Sequence, residues 1–345
     1  MKILVTGASG FIGSFLCEEG LKRNMETWAG MREHSSRRWL TDKRLKFATL
    51  DMTDAERLKG QLADYKKEVG RWDVIIHAGG ATKCLKREDF DLHNYICTKN
   101  LVNTLAELNM LPTQFLYVSS LSVLGPIREE QNADGTYNDM LTTDAPQPNT
   151  AYGESKVKSE IFLKSAHKKE EGFSYTIFRP TGVYGPREKD YFMMAKSIKQ
   201  HIDFGAGFKR QVLTFVYVRD LVNAIFSAIG KAEVANGKSY LVSDGQNYSS
   251  RAFSDLIQKE LGIKQVFHFT APLGLLRVIC AVAEFFSHLT HKASTLNGDK
   301  YRIMRQRNWQ CDITPLKEDL GYVPEWPLER GVKECIAWYK ENHWI

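Results

Sequence analysis

No two cysteines form a CxxC pair; Cys17, Cys84, Cys97, Cys280, Cys311 and Cys335 are scattered along the chain. Reduced thiols in a cytoplasmic protein fit that scatter better than a disulfide framework or a zinc site, so no metal centre is expected. A basic arm is also lacking. The formal charge of +6 is spread along the sequence, and nucleic acid is not an expected partner. Internal repeats, low-complexity tracts and long linkers are missing. No leader is expected, because Met1 and Lys2 run straight into an apolar strand. The longest apolar stretch, Pro272 to Leu289, is broken by Arg277 and Glu284, which excludes a good spanning helix. Its Leu275, Leu276, Ile279, Val282, Phe286 and Leu289 recur at helical spacing. That stripe predicts a helix packed in a small domain or over its pocket, rather than one docked on a membrane surface.

What the chain does have is glycine at a telling position. MKILVTGASGFIG opens with the apolar run Ile3, Leu4 and Val5, which reads as a buried parallel strand. Gly7, Gly10 and Gly13 follow, before a helical pattern from Phe11 to about Arg23. Gly7 permits a sharp turn, Gly10 lets backbone N–H groups approach a pyrophosphate, and Gly13 lets helix and strand sit close. The helix N-terminus adds partial positive charge for the phosphate. In this strand–turn–helix setting the triplet predicts a dinucleotide site.

Further strands are expected at Thr27–Met31, Lys46–Leu50, Asp73–His77, Gln114–Ser119 and Tyr175–Arg179. Helical patterns separate them at Asp54–Lys67, Glu88–Asn109 and Ala151–Lys169. Such alternation predicts an α/β, doubly wound parallel-sheet Rossmann fold. At 345 residues the chain exceeds one comfortable sheet. A dinucleotide-binding domain over residues 1–184 and a smaller C-terminal substrate-binding lobe over 185–345 are expected. Returns to the main sheet are expected near 211–243.

Tyr152 and Lys156 stand four residues apart at the start of a helical pattern, so both side chains leave one face. A free phenol titrates near ~10, and a neighbouring ammonium would lower that value towards useful proton exchange. Upstream, FLYVSS ends in Ser119 and Ser120, where a strand end would hold a hydroxyl at the cofactor cleft.

TGASGFIG, HAGG, SSLSVLG, YGESK and RPTGVYGPR, in this order, resemble the extended short-chain dehydrogenase/reductase family, also called the NAD-dependent epimerase/dehydratase family. The resemblance implies a catalytic set of Ser120, Tyr152 and Lys156. Tyr152 would be the acid/base, Lys156 would tune it and grip the nicotinamide ribose, and Ser120 would orient the reacting oxygen. It implies cofactor contacts from Ser9, Phe11 and Ile12 in the glycine turn, from Ala78, Gly79 and Gly80, and from Val118. Asn94 matches a supporting helix asparagine, Asp51 and Met52 the adenine-contacting pair, and Pro180 and Thr181 the segment along the nicotinamide. Thr82, Ser122 and Gly182 are expected near the substrate. Dimerisation through two helices of the main domain is common in such proteins, which leaves a homodimer open.

The second strand runs TWAGMREHSSRRW, with no acid before Glu33. An arginine fork suits a 2′-phosphate, so NADP(H) is expected, held by Arg32 with Ser35 or Arg37. NAD, with Glu33 on the ribose, is the alternative. Sugar-nucleotide dehydratases of this family carry an Asp–Glu pair after the catalytic hydroxyl, where this chain has Leu121 and Ser122. Elimination would lack its acid and base. Epimerases typically carry an asparagine where Gly182 stands and an arginine near Leu213, although Lys209 and Arg210 are close by. The tail, with Trp309, Asp312, LGYVPEWPLERGV and AWY, is similar to the dihydroflavonol-reductase-like and 3β-hydroxysteroid-dehydrogenase-like branch. The expectation is an oxidoreductase reducing a ketone on a largely apolar small molecule, with a nucleotide-sugar epimerase as the alternative.

Overall fold

Side chains that alternate along the strands supply two separate apolar layers, and the chain winds a seven-stranded sheet between them. The computed structural model describes residues 1–290 and 297–345, apart from the side chains of residues 287–289. The first six strands are β1 (Lys2–Thr6), β2 (Glu26–Met31), β3 (Lys46–Thr49), β4 (Val74–His77), β5 (Gln114–Val118) and β6 (Tyr175–Pro180). Short strands follow at β7 (Gly182–Tyr184), β8 (Ile202–Ala206), β9 (Val212–Leu213) and β10 (Phe215–Tyr217). The last three are β11 (Ser239–Val242), β12 (Tyr248–Ser249) and β13 (Phe267–Ala271). The main sheet is parallel, in the order β11-β6-β5-β4-β1-β2-β3. Strand order reverses at β1, and in such sheets ligands bind beyond the carboxyl ends at that point.

Helices α1 (Phe11–Lys22), α2 (Ala55–Val69), α3 (Arg87–Phe90), α4 (Cys97–Glu107) and α5 (Ala151–Lys169) connect the first strands. Beyond them run α6 (Asp190–Lys199), α7 (Val218–Ser227), α8 (Ala232–Ala235) and α9 (Ala252–Leu261). The chain continues through α10 (Leu273–Thr290), α11 (Gly298–Arg305), α12 (Thr314–Leu320) and α13 (Leu328–Glu341). Ile3, Val5 and Ile76 face the layer holding Phe15 of α1, Ile225 of α7 and Ile336 of α13. Leu4, Ile75 and Phe115 face the other, with Leu62 of α2, Leu101 of α4 and Leu163 of α5. Both faces are thereby covered, as a parallel sheet requires.

The structure departs from two local expectations. Glu88–Asn109 is not one regular helix; a π-helical segment, Asp91–Ile96, lies between α3 and α4. The wider turn carries Asn94, whose amide is fully committed to neighbouring elements, and such π turns frequently occur at functional sites. The apolar stripe on α10 is not packed away either. Leu276 and Cys280 turn inward at 8 % and 1 % exposure, while Leu275, Ile279, Val282 and Phe286 stand in solvent. Among the described residues the main partner of the helix is α11. Leu289 lies outside the described side chains.

A buried ion pair fixes α5 to the sheet. Glu160 accepts from Arg179 of β6 at 2.6 Å and 3.0 Å, and both side chains are 2 % exposed. Ser119, just past β5, donates to the same carboxylate at 2.6 Å. Removing one member strands the other's charge in the interior, which costs about 3–5 kcal/mol. Glu160→Gln is therefore expected to lower the urea unfolding free energy by about that amount. A Glu160→Gln/Arg179→Met double variant should lose less than the two single losses combined, as a double-mutant cycle measures.

Candidate active site

The glycine turn and the strand beside it are pressed together until no side chain fits. Gly7 has φ +69°, and a Cβ there would lie 2.7 Å from Gly79 Cα. A Cβ on Gly13 would lie 2.1 Å from the Gly7 carbonyl oxygen. Backbone thus meets backbone at the carboxyl ends of β1 and β4. Gly10 caps α1 with no side-chain acceptor, and the first turn holds no acid. The N–H groups of that turn are left for an anionic ligand, beside the half-buried side chains of Ser9, Phe11 and Ile12. These residues fit a dinucleotide pyrophosphate.

Ser120, Tyr152 and Lys156 come together past the end of β5. Ser120 caps the short 3-10 turn Leu121–Val123, its Oγ accepting from the Ser122 N–H at 3.2 Å. Thr150 caps α5 by accepting from the Gly153 N–H at 3.0 Å, which starts the helix just before Tyr152. Burial raises the phenol of Tyr152 above its ordinary pKa, and the Ser120 hydroxyl facing it opposes the rise. Lys156 lies one turn further on, donating from Nζ to the Val118 carbonyl at 2.7 Å. Its Nζ also sits 4.4 Å from the centre of the Tyr117 ring. Burial lowers the Lys156 pKa to about 7, partly offset by the charge of Glu160. Burial is the leading influence on the phenol, with the Ser120 hydroxyl opposing it. Lys156 Nζ points to the Val118 carbonyl, and desolvation is the largest influence on both groups.

Asn94 braces this centre. Its Oδ1 accepts from the Ala81 N–H at 2.8 Å, and its Nδ2 donates to Ala81 O at 3.1 Å and Ser155 Oγ at 2.8 Å. Ser155 Oγ donates in turn to the Tyr152 carbonyl at 2.7 Å. A Cβ on Gly80 would lie 2.5 Å from Asn94 Oδ1 and 3.9 Å from Lys156 Nζ. The loop Ala78–Gly80, the π turn and the N-terminal half of α5 therefore converge. Behind them Thr98 donates to the Asn94 carbonyl at 2.6 Å and meets His77 Nε2 at 3.0 Å. Burial, helped by the Lys156 charge, holds His77 down to about 3, so the imidazole is neutral.

At the far end of the cleft, Asp51 follows β3 and accepts from Thr53 Oγ1 at 2.6 Å. Arg57 bridges Asp51 at 3.3 Å and Glu33 at 2.8 Å. Arg32 is exposed, while Arg37 stacks over Phe47 at 4.1 Å. Met52 approaches the glycine loop, its Cε 3.4 Å from a Cβ on Gly79. On the other side, Pro180 ends β6 and Thr181 donates to the Thr214 carbonyl at 2.9 Å. A Cβ on Gly182 would lie 2.4 Å from the Tyr191 hydroxyl. Thr82 is exposed and Ser122 half-buried in the loops flanking the centre.

Sequence reasoning misses Arg57, Ser155 and the Glu160–Arg179 pair. Only Glu160 left a signal, at four residues beyond Lys156 on the same helix face.

A family model described as "NAD dependent epimerase/dehydratase family" matches residues 3–243. An uncharacterised UDP-glucose epimerase of Bacillus subtilis is 28% identical over 360 residues, covering 98% of each chain. A 3-beta-hydroxysteroid dehydrogenase of Mycolicibacterium neoaurum is 26% identical, over 99% of this chain and 92% of that one. The crystal structure of UDP-glucuronic acid 4-epimerase from Bacillus cereus in complex with NAD superposes with a TM-score of 0.75 at 19% identity, over 99% of this chain and 100% of that chain. That likeness bears on the fold, whereas the family rests on the match across most of the sequence. The chain belongs to the NAD-dependent epimerase/dehydratase family, within the extended short-chain dehydrogenases/reductases.

Proposed function

We propose that the protein transfers a hydride reversibly between NADP(H) and a ketone or secondary alcohol on a largely apolar small molecule. The observation that carries the reading is the convergence of Ser120 and Tyr152, with Lys156 one turn away, beside the glycine-lined cleft. The nicotinamide, when bound, supplies or accepts the hydride. Glycine-turn N–H groups would hold the pyrophosphate, and Lys156 the ribose. Tyr152, kept protonated by burial, gives its proton to the developing alkoxide. Ser120 donates a hydrogen bond to the same oxygen, and Lys156, once the anionic cofactor favours its protonated form, stabilises the phenolate left behind. Neither Leu121 nor Ser122 can act as the acid or base of an elimination.

Two local features support the finer choices. Glu33 is engaged by Arg57, which leaves Arg32 as the group at the end of β2 suited to a 2′-phosphate. Beside the nicotinamide segment, Tyr191 fills the space any side chain at Gly182 would need, and it stacks on Phe253 with ring centres 4.6 Å apart. Among the described residues, an aromatic environment with no cation at this position suits an apolar substrate better than a diphosphate. The epimerase names among the relatives favour the second reading, which requires a shift in melting temperature by UDP comparable to that by NADPH.

Tyr152→Phe should lower kcat by about 10²- to 10⁴-fold and leave the NADPH Kd within about threefold in fluorescence titration; retained turnover would remove Tyr152 from the chemistry. Arg32→Ala should weaken NADPH by about tenfold or more with little change for NADH; equal effects on both would favour NAD. The Lys156 amine, with its pKa lowered to about 7, is largely neutral at about pH 8 and protonated at about pH 6. An anionic cofactor raises that pKa, so binding takes up close to one proton at the higher pH and little at the lower. Calorimetry in two buffers of different ionisation enthalpy would measure the uptake, which Lys156→Met should abolish.

A further inference from the structure

We propose that the face built from β8, β13 and α10 docks the protein on the surface of a bilayer containing anionic phospholipid. The inference is independent of the reaction assigned above. In the β8–β13 pair, Ile202 sits opposite Phe267 and Phe204 opposite Phe269. All four point outward, with Phe267 85% and Phe204 66% exposed. The intervening pair faces the other way, where His268 bonds Asp203 at 3.0 Å and Asp203 is buried. Alternation of this kind should put the polar residues outside. Here it is inverted.

The apolar face continues along the chain. Helix α10 begins two residues after β13 ends, and a Cβ on Gly207, just past β8, would lie 3.1 Å from Leu273. On α10 the residues Leu275, Val278, Ile279, Val282, Phe285 and Phe286 are exposed. At 3.6 residues per turn they form an arc about 120° wide, opposite the edge on which Leu276 and Cys280 are buried. Monomeric proteins rarely leave an apolar surface of this extent uncovered.

Charge decides what covers it. Across residues 199–210 and 264–286 the exposed charged side chains are Lys199, Lys209, Lys264 and Arg277, together with Arg210, which is turned to the Gly135 carbonyl at 2.9 Å near Asp134. The acids in those stretches are Asp203, buried against His268, and Glu284, half-buried and accepting from the Gly298 N–H at 3.0 Å. Phenylalanines and aliphatic side chains with a cationic fringe are what an anionic membrane interface binds. A second copy of the chain on a two-fold axis would set the same cations against one another. Among the described residues no helix is long and apolar enough to cross a membrane, so the face lies in the interface and does not span it. Docking would bear on the active centre, because α10 packs on α11 and Asp299 of α11 accepts from the Ala151 N–H, next to Tyr152, at 2.8 Å.

The test is flotation of the full chain with phosphatidylcholine vesicles, with and without phosphatidylglycerol, at low and high salt. Binding to the anionic vesicles, weakened by salt, is expected. Phe285→Ser/Phe286→Ser should cut the bound fraction by about tenfold or more, and Lys264→Gln/Arg277→Gln by severalfold. All these side chains are exposed, so circular dichroism and the melting temperature should match the parent protein. Failure to float with anionic vesicles, or phenylalanine variants that float like the parent, would overturn the proposal. So would a phenylalanine variant that turns a dimer into a monomer in sizing with vesicle binding unchanged, which would assign the face to a second copy.

Discussion

Arg179 and Glu160 meet where water does not reach, and three segments of the active centre are held through that contact. Helix α5 carries Lys156 one turn before Glu160 and Tyr152 two turns before it. Strand β6 carries Arg179 directly before Pro180 and Thr181. The Ser119 hydroxyl brings the end of β5 to the same carboxylate, which leaves Ser120 beside Tyr152. A buried pair is seldom a net source of stability compared with apolar packing. Its effect here is geometric, because sliding α5 along the sheet would uncouple both nitrogens of Arg179 and the serine together. The charge of Glu160 also reaches Lys156 and partly restores the basicity that burial removes.

Desolvation, more than pairing, determines protonation through the centre. It keeps the Tyr152 phenol protonated, brings the Lys156 amine close to neutral titration, and holds His77 in its uncharged form. Each group is therefore sensitive to a ligand that changes its surroundings. Asn94 holds the surroundings still. With its oxygen and both amide protons engaged, the asparagine links the loop after β4 to the helix carrying the tyrosine.

Features governed by local sequence are legible in the residues alone. The glycine turn, the parallel strands and the Tyr152–Lys156 spacing depend on steric rules acting over a few residues, and the order of motifs was sufficient to assign the family. Features that depend on which distant side chain arrives next door are not. Arg57 between Glu33 and Asp51 is one, and Ser155 beneath Asn94 another. The π turn gives no compositional sign, since one wider turn leaves the apolar spacing of Glu88–Asn109 nearly intact. The α10 stripe misled for a related reason. Periodicity reports that a helix has an apolar side and is silent on whether the fold supplies anything to cover it.

Tyr191 constrains what its neighbour in space can be. Because its hydroxyl occupies the volume beside Gly182, replacing that glycine alone with asparagine would drive a side chain into a phenol. Losing the hydroxyl alone, as in Tyr191→Phe, would open that volume and keep the ring stacked on Phe253. The side chains admissible at position 182 are therefore tied to what stands at position 191.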